Sequence, residues 1–135
     1  MEILTAPDPR LKRRCESSVI VTVQTLNEML RLLNRHAGIG LAAPQVGIDG
    51  RFFVTSWGDI FLNPEIVEVS ESMHESREGC LSIPGKQFLV QRHKWVRLRG
   101  DGRKWKGIKS SVIQHEADHL NGILISDIGK EICVG

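Results

Sequence analysis

The first regular hydrophobic pattern along the chain predicts a helix that begins near Thr22. Apolar residues recur there at spacings of three and four, which is the repeat of one helix face. These residues are Leu26, Met29, Leu30, Leu33 and Ala37. Gly38 follows, and glycine favours a helix end because it tolerates the left-handed backbone of a C-terminal cap. Residues 1–18 are polar and interrupted by proline, which predicts a segment that wraps the surface.

The middle of the chain consists of short β-prone runs. Gly58 and the pair Asn63-Pro64 interrupt them, as expected at the ends of strands. Further on, Gly100-Asp101-Gly102 is typical of a hairpin turn that leads toward Lys104 and Trp105. The predicted strands are Phe52–Thr55, Ile60–Leu62, Ile66–Val69, 88–90 and Trp95–Leu98.

A second helix is predicted over residues 107–121, with its end at Gly122. A helix, many short strands and another helix, without strand–helix–strand alternation, indicate an α+β fold. We therefore expect short antiparallel strands packed around a central helix, plus one N-terminal helix. A length of 135 residues fits one core, so residues 1–135 are expected to form a single catalytic domain.

Composition narrows the class of protein only slightly. The 41% hydrophobic and 25% charged residues are ordinary for a globular protein, and a formal charge of +2 gives no reason to expect nucleic acid or an anionic membrane. No apolar run approaches the roughly 20 residues of a membrane span, and no signal peptide is visible. Three widely spaced cysteines do not form a disulfide framework. We expect a cytoplasmic protein with reduced thiols.

The predicted second helix carries the most specific local motif, His115-Glu116-Ala117-Asp118-His119. Two histidines four residues apart lie one turn apart on one helix face, so their imidazoles can bind the same ion. Glu116 points about 100° away around the helix axis, where its carboxylate can take a proton from water bound to that ion. Because His115 and His119 continue a stripe begun by Ile108 and Val112, we expect them to be buried and to need polar partners.

A third ligand has to come from earlier in the chain. In one large class of zinc proteases the motif extends to a further histidine, but Ile125 stands at that position here. Cys80, within Glu78-Gly79-Cys80-Leu81-Ser82, is the candidate, since a thiolate binds borderline cations and leaves a fourth position open. The alternative is that Cys80 is simply a small buried residue.

The segment Gly38-Ile-Gly-Leu-Ala-Ala-Pro-Gln45 is rich in small residues that let a backbone approach a ligand or a neighbouring strand closely. Gln45 is its one polar side chain, and its amide can donate a hydrogen bond to a developing oxyanion. A tightly packed loop explains the same pattern. A phosphate-binding loop does not, because the required Lys-Ser/Thr pair is missing.

Together, these three motifs resemble those of the peptide deformylases, in the same order and at similar spacing. The resemblance also includes Pro7-Asp8-Pro9-Arg10-Leu11 and Asn63-Pro64, so it covers nearly the whole chain. It implies a hydrolase that removes the N-formyl group from the initiator methionine of nascent polypeptides and releases formate. The implied cofactor is one divalent metal ion per chain, Fe(II) in vivo, with Zn, Ni or Co able to replace it.

The resemblance also implies roles for individual residues. Water bound to the metal attacks the formyl carbon, Glu116 acts as general base and then acid, and Gln45 with the N–H of Leu81 holds the oxyanion. The implied metal ligands are Cys80, His115 and His119. The implied substrate-binding residues are Ile39, Gly40, Ile108 and Val112. The expected partner is the N-formyl-methionyl nascent peptide, with a transient ribosome contact, no nucleic acid, no membrane and a monomeric state.

Two departures from the family pattern are visible. The chain ends soon after the second helix, whereas typical bacterial members have a longer C-terminal extension, so we expect a compact form of phage-encoded or organelle type, acting in the host cytoplasm if phage-encoded. Gln87 stands where many relatives carry an arginine near the peptide-binding edge.

Three other interpretations of the sequence remain, together with one open question about two acidic residues. The interpretations are a metalloprotease with unusual ligands, a binding module that has lost its activity, and a purely structural metal site. A structural site usually has four protein ligands, and only three are identified here. The open question concerns Asp118 and Glu78. Either could orient a ligand histidine, and Asp118 could instead pair with Arg92.

Overall fold

The computed structural model describes residues 1–17 and 19–133, so Ser18, the last residue of the predicted N-terminal segment, lies outside it, as do Val134 and Gly135. Within the described part, the helices are α1 (Val23–Arg35), α2 (Gly107–Leu120) and α3 (Ile125–Ile128), with 3-10 turns at Pro9–Lys12 and Ala43–Val46. The strands are β1 (Gly40–Ala42), β2 (Phe52–Thr55), β3 (Ile60–Leu62), β4 (Ile66–Val69), β5 (Met73–Cys80), β6 (Ile83–His93), β7 (Trp95–Leu98), β8 (Trp105–Lys106) and β9 (Lys130–Ile132).

The strands form three antiparallel sheets of three strands each, in the orders β1-β2-β3, β4-β7-β8 and β5-β6-β9. This arrangement confirms the predicted α+β fold with short antiparallel strands. The β5–β6 hairpin is the longest pairing, and its register shifts between Glu78 and Cys80. Such a bulge changes the direction of the side chains next to it. Strands β1 and β5 each lie at the edge of their sheet.

Most of the predicted elements are present. β2, β3, β4 and β7 have the predicted bounds, residues 88–90 fall within β6, and α2 ends one residue before the prediction. The predicted turn at Gly100-Asp101-Gly102 does lead into β8, which pairs with β7. Strand β5 was not predicted, because five of its eight residues are polar.

The end of α1 differs from the prediction in one respect. Thr22 caps its start by accepting a hydrogen bond from the Thr25 N–H at 3.1 Å. At the other end, Ala37 rather than Gly38 has the left-handed backbone, with φ of 52°. The Gly38 N–H reaches back to the Leu33 carbonyl at 3.0 Å, which completes a Schellman cap. A Cβ on Gly38 would lie 2.6 Å from Leu33 Cδ1 and 3.0 Å from Leu81 Cδ1, so a larger residue there would require these side chains to move.

Helix α2 buries a largely polar face, contrary to the predicted apolar stripe. Ile108, the first member of that stripe, is 74% exposed, whereas Ser110, Gln114 and Glu116 are buried. For Ser110 and Gln114, strand β6 supplies hydrogen-bond partners. Gln114 Oε1 accepts from the His93 N–H at 2.9 Å, and its Nε2 donates to the His93 carbonyl at 2.9 Å.

One hydrophobic cluster holds α2 in place through Ile113 and Leu120. A second cluster joins α1 to β1 and β2. The C-terminal end of α2 is also fixed by the N-terminal segment, because the Cys15 N–H donates to the Leu120 carbonyl at 2.9 Å. Among residues 1–17 and 19–133, no helix has the length and apolar character needed to cross a membrane.

Gly122, just after α2, should be one of the least replaceable residues of the fold. It has a φ of +74°, and a Cβ there would collide with the backbone carbonyl of Lys12. We expect Gly122→Ala to lower the free energy of unfolding by about 2–4 kcal/mol, measured by urea denaturation, because backbone strain and a backbone clash act together.

Gly100→Ala is the matched control for this prediction. Gly100 has nearly the same φ, +78°, but a Cβ there would have no heavy atom within 4 Å. Its replacement should therefore cost only the left-handed conformation, about 1 kcal/mol. Equal losses for the two variants would contradict the proposed contact between Gly122 and the N-terminal segment.

Candidate active site

One side chain of strand β5 and two of helix α2 bring three potential metal ligands together. The ligating atoms of Cys80, His115 and His119 all lie within 4.8 Å of one another. Cys80 Sγ is 3.4 Å from His119 Nε2, and the two imidazole centroids are 5.2 Å apart. Donor atoms that share a tetrahedral zinc-sized ion are separated by about 3.4–3.6 Å, from the usual metal–sulfur and metal–nitrogen distances. The three residues therefore fit a divalent ion.

Behind this trio, Glu78 fixes the orientation of His115. Glu78 Oε1 accepts a hydrogen bond from His115 Nδ1 at 2.8 Å. Burial on its own would raise the pKa of Glu78, but Arg92 and His115 lower that pKa to about 2, so the carboxylate is ionised at neutral pH. An ionised acceptor keeps a proton on Nδ1, so Nε2 of His115 is the atom that would give up its proton to bind a metal ion.

Arg92 lies at the centre of the buried charges. Its side chain is 3% exposed and donates to both Glu78 oxygens, at 2.9 and 2.8 Å, and to Asp118 Oδ2 at 2.7 Å. Of the two sequence interpretations of Asp118, pairing with Arg92 is the one observed. Glu78 is the acidic residue that orients a histidine, His115.

The two histidines have opposite electrostatic environments. Burial would lower the pKa of His115, but hydrogen bonds to Cys80 and Glu78 outweigh it and raise that pKa to about 10. The anionic neighbours that raise the pKa of His115 would also favour the binding of a divalent ion beside it. Burial, together with His115 and Arg92, lowers the pKa of His119 well below its usual range, which keeps that imidazole neutral and able to bind a metal.

Glu116 lies beside the trio in a buried position, 4% exposed. Burial raises its pKa to about 7, although the attraction of His115 opposes the rise. Among the described residues, Glu116 Oε1 has no hydrogen-bond partner. Its other side touches β1, where a Cβ on Gly40 would lie 2.6 Å from Glu116 Oε2. Such a carboxylate can accept and return a proton near neutral pH.

Gln45 is held rigidly next to Cys80. Its Oε1 accepts from the Ala42 N–H at 2.9 Å, and its Nε2 donates to Ser82 Oγ at 3.1 Å. The same Nε2 lies 3.7 Å from Cys80 Sγ. The amide group therefore points a donor toward the trio. Leu81 follows Cys80 directly, in the turn between β5 and β6. The sequence identified Gln45 but gave no indication that Ser82 and the Ala42 backbone hold it.

A cleft of about 980 Å³ opens over these residues. Among the residues predicted to function, Ile39, Gly40, Gln45, Cys80, Leu81, Ile108, Val112, His115 and Glu116 all line it. His119 is 1% exposed and lies beneath the surface of the cleft. At the rim, Gln87 accepts a hydrogen bond from Arg77 Nε at 2.7 Å, so the neighbouring strand supplies a cation beside Gln87.

Comparison with known proteins agrees with this geometry. The model of the polypeptide deformylase family matches residues 1–132. The peptide deformylase of Thermotoga neapolitana is 38% identical, over 89% of this chain and 81% of the relative. The peptide deformylase of Plasmodium falciparum has a crystal structure that matches with a TM-score of 0.87 at 35% identity, over 96% of this chain and 86% of that one.

A phage protein is also among the similar structures. The probable peptide deformylase of synechococcus phage S-SSM7 matches with a TM-score of 0.83 at 34% identity, over 95% of this chain and 99% of that chain. A family match over nearly the whole chain, relatives of this identity and a shared fold lead to one conclusion. The chain belongs to the peptide deformylase family.

Proposed function

We propose that this chain, acting as a single catalytic domain over residues 1–135, hydrolyses the N-formyl group of the initiator methionine on nascent polypeptides. Water and the formyl peptide give formate and a free amine. The observation that carries the proposal is the convergence of a Cys80, His115 and His119 ligand set with a buried carboxylate, Glu116, in one cleft. We place the reaction in the cytoplasm, on a monomeric protein in transient contact with the ribosome.

Cys80, His115 and His119 would hold one divalent ion, and we propose Fe(II), with Zn, Ni or Co able to occupy the same ligands. When bound, the ion acts as a Lewis acid that polarises the formyl carbonyl and makes a water molecule acidic at neutral pH. Glu78 supports this set by keeping the Nδ1 proton of His115 in place, which presents Nε2 to the ion.

Glu116 would move the proton. Its unpartnered Oε1 would take a proton from the attacking water and deliver it to the amine nitrogen as the carbon–nitrogen bond breaks. A pKa of about 7 suits both directions of transfer near neutral pH. The formyl oxygen, which gains negative charge during the attack, would accept hydrogen bonds from Gln45 Nε2 and from the Leu81 N–H.

Two sheet edges line the cleft and offer backbone groups to a peptide. The β1 edge at Gly40 and the β5 edge near Gly79 both border it. An extended peptide can add to such an edge as a further strand, and its side chains are then selected by pockets. Ile39, Ile108 and Val112 provide apolar surface in the same cleft, where the methionine side chain would bind.

The first test is formate release from formyl-Met-Ala-Ser by protein purified without oxygen, with its metal content measured on the same sample. Wild type should release formate, and Glu116→Gln should lower the rate by about 10²–10⁴, the usual contribution of a general acid–base group. The metal content should stay unchanged, because Glu116 is not proposed as a ligand.

Casein cleavage, measured in parallel, separates this activity from that of a metalloprotease. A wild-type protein that contains one metal per chain and releases no formate would contradict the proposed function. A Glu116→Gln rate within tenfold of wild type would instead contradict only the role of that carboxylate.

Gly40→Ala should lower activity without touching a reacting group. The added Cβ would lie 2.6 Å from Glu116 Oε2, so the buried carboxylate would have to move. A displacement of about 1 Å can cost roughly 10²-fold in rate, and we expect a loss of that order in kcat for formyl-Met-Ala-Ser. Gly102→Ala, where a Cβ meets nothing within 4 Å, should leave kcat unchanged. Equal activity of the two variants would argue against the proposed placement of Glu116.

Removal of the metal should abolish formate release, and replacement should restore it. After chelation, we expect Fe(II) added under nitrogen, or Ni(II), to return the activity. The iron-loaded protein should then lose activity in air because Fe(II) and the Cys80 thiolate are both open to oxidation, whereas the nickel-loaded protein should keep it longer. Activity that persists after the metal has been removed to below one-tenth of an ion per chain would contradict metal dependence.

A further inference from the structure

Strand β5 and helix α2 contact each other through three pairs of polar side chains. On β5, the three residues are His74, Glu78 and Cys80, which lie at even spacings and so share the less exposed face of the strand. On α2, the facing residues are spaced by four, one per turn. The pairs are Cys80 with His119 at 3.4 Å, Glu78 with His115 at 2.8 Å, and His74 with Ser111 at 3.1 Å.

The first two pairs belong to the proposed metal centre, and the third has no role in it. His74 Nε2 and Ser111 Oγ form a hydrogen bond, and both residues line the cleft. Ser111 is 7% exposed, so its hydroxyl lies in a confined part of the wall. The neighbouring Val112 and Ile108 are apolar and line the same cleft, so the pair places two polar groups beside apolar surface.

The position of this pair matches the reach of a substrate side chain. Ser111 precedes His115 by four residues, which is about 6 Å along a helix. In an extended formyl-methionyl group, the δ atom of the side chain is five bonds from the formyl carbon, a comparable distance. A side chain that leaves the metal centre along α2 would therefore bring its δ atom next to His74 and Ser111.

We propose that His74 and Ser111 are specificity-determining residues, which bind a hydrogen-bond acceptor at the δ position of the substrate's first side chain. The inference rests on the proposed function. The proposed acceptor is the oxygen that methionine sulfoxide carries on its δ sulfur, because the thioether sulfur of unmodified methionine accepts hydrogen bonds only weakly. The chain would therefore deformylate peptides whose first methionine is oxidised, as well as unmodified ones.

A purely structural role for the pair predicts a different result. If the hydrogen bond only holds β5 against α2, its loss should affect all substrates alike. If the pair binds the side chain, its loss should affect only substrates that carry an acceptor, because a site built for a hydrogen bond discriminates against partners that lack one. The ratio of kcat/KM values between substrates therefore distinguishes the two roles.

The experiment compares formyl-Met-Ala-Ser, its methionine sulfoxide form and formyl-norleucine-Ala-Ser, which has a methylene in place of sulfur. Wild type should have a higher kcat/KM for the sulfoxide than for norleucine. Ser111→Ala and His74→Leu, made separately, should each lower the sulfoxide-to-norleucine ratio by about five- to tenfold, the effect of one lost hydrogen bond.

Ser110→Ala is the matched control. It removes a buried hydroxyl from the same turn of α2, but Ser110 bonds to the His93 carbonyl and is not among the residues that line the cleft. The sulfoxide-to-norleucine ratio of kcat/KM for Ser110→Ala should equal that of wild type. An unchanged ratio in both Ser111→Ala and His74→Leu would overturn the inference while leaving the proposed function intact. Absence of formate release from all three peptides by wild type would overturn both.

Discussion

The carboxylate of Glu78 is the point on which the site depends. It is buried between Arg92 and His115, and it accepts hydrogen bonds from both. Buried ion pairs contribute little net stability, because the loss of hydration offsets most of the attraction. The ion pair of Glu78 with Arg92 instead serves to orient His115, since an ionised Glu78 fixes the proton on Nδ1 of that residue and so directs Nε2 toward the proposed ion. Glu78 in turn stays ionised because Arg92 is held beside it by Asp118.

The same interaction explains why a polar sequence forms strand β5. Met73–Cys80 has few β-prone residues, and its order comes from pairing with β6 on one side and from polar contacts to α2. Arg92 belongs to β6, Glu78 to β5 and Asp118 to α2, so one charge network joins all three elements. The hydrophobic clusters of the fold provide the stability that this polar network does not.

Spacing alone predicts the local part of the site, whereas the sequence left alternatives open for the long-range part, such as Cys80 as a ligand or a small buried residue, and Asp118 as an orienting group or a partner of Arg92. Two histidines four apart on a helix have a fixed relation, so His115 and His119 follow from spacing alone. Arg92 is 23 residues from His115 in the chain, and only the β5–β6 register brings it to the site. Likewise, the burial of α2 was predicted from apolar spacing, but Ile108 is exposed in the cleft, and the polar side chain of Gln114 is buried against β6 with hydrogen-bond partners there.

The buried face of helix α2 therefore consists mainly of side chains that serve the site rather than of apolar side chains that stabilise the fold. Eight of its side chains are buried, and six of these are polar, so hydrophobic burial alone does not orient it. Its position is set at its C-terminal end, where Arg51 Nη1 donates to the Leu120 carbonyl at 2.9 Å and Gly122 packs against Lys12. Because His119 lies one residue before Leu120, this anchoring fixes the most deeply buried of the three proposed ligands. The N-terminal segment, far from the site in sequence, thus contributes directly to its geometry.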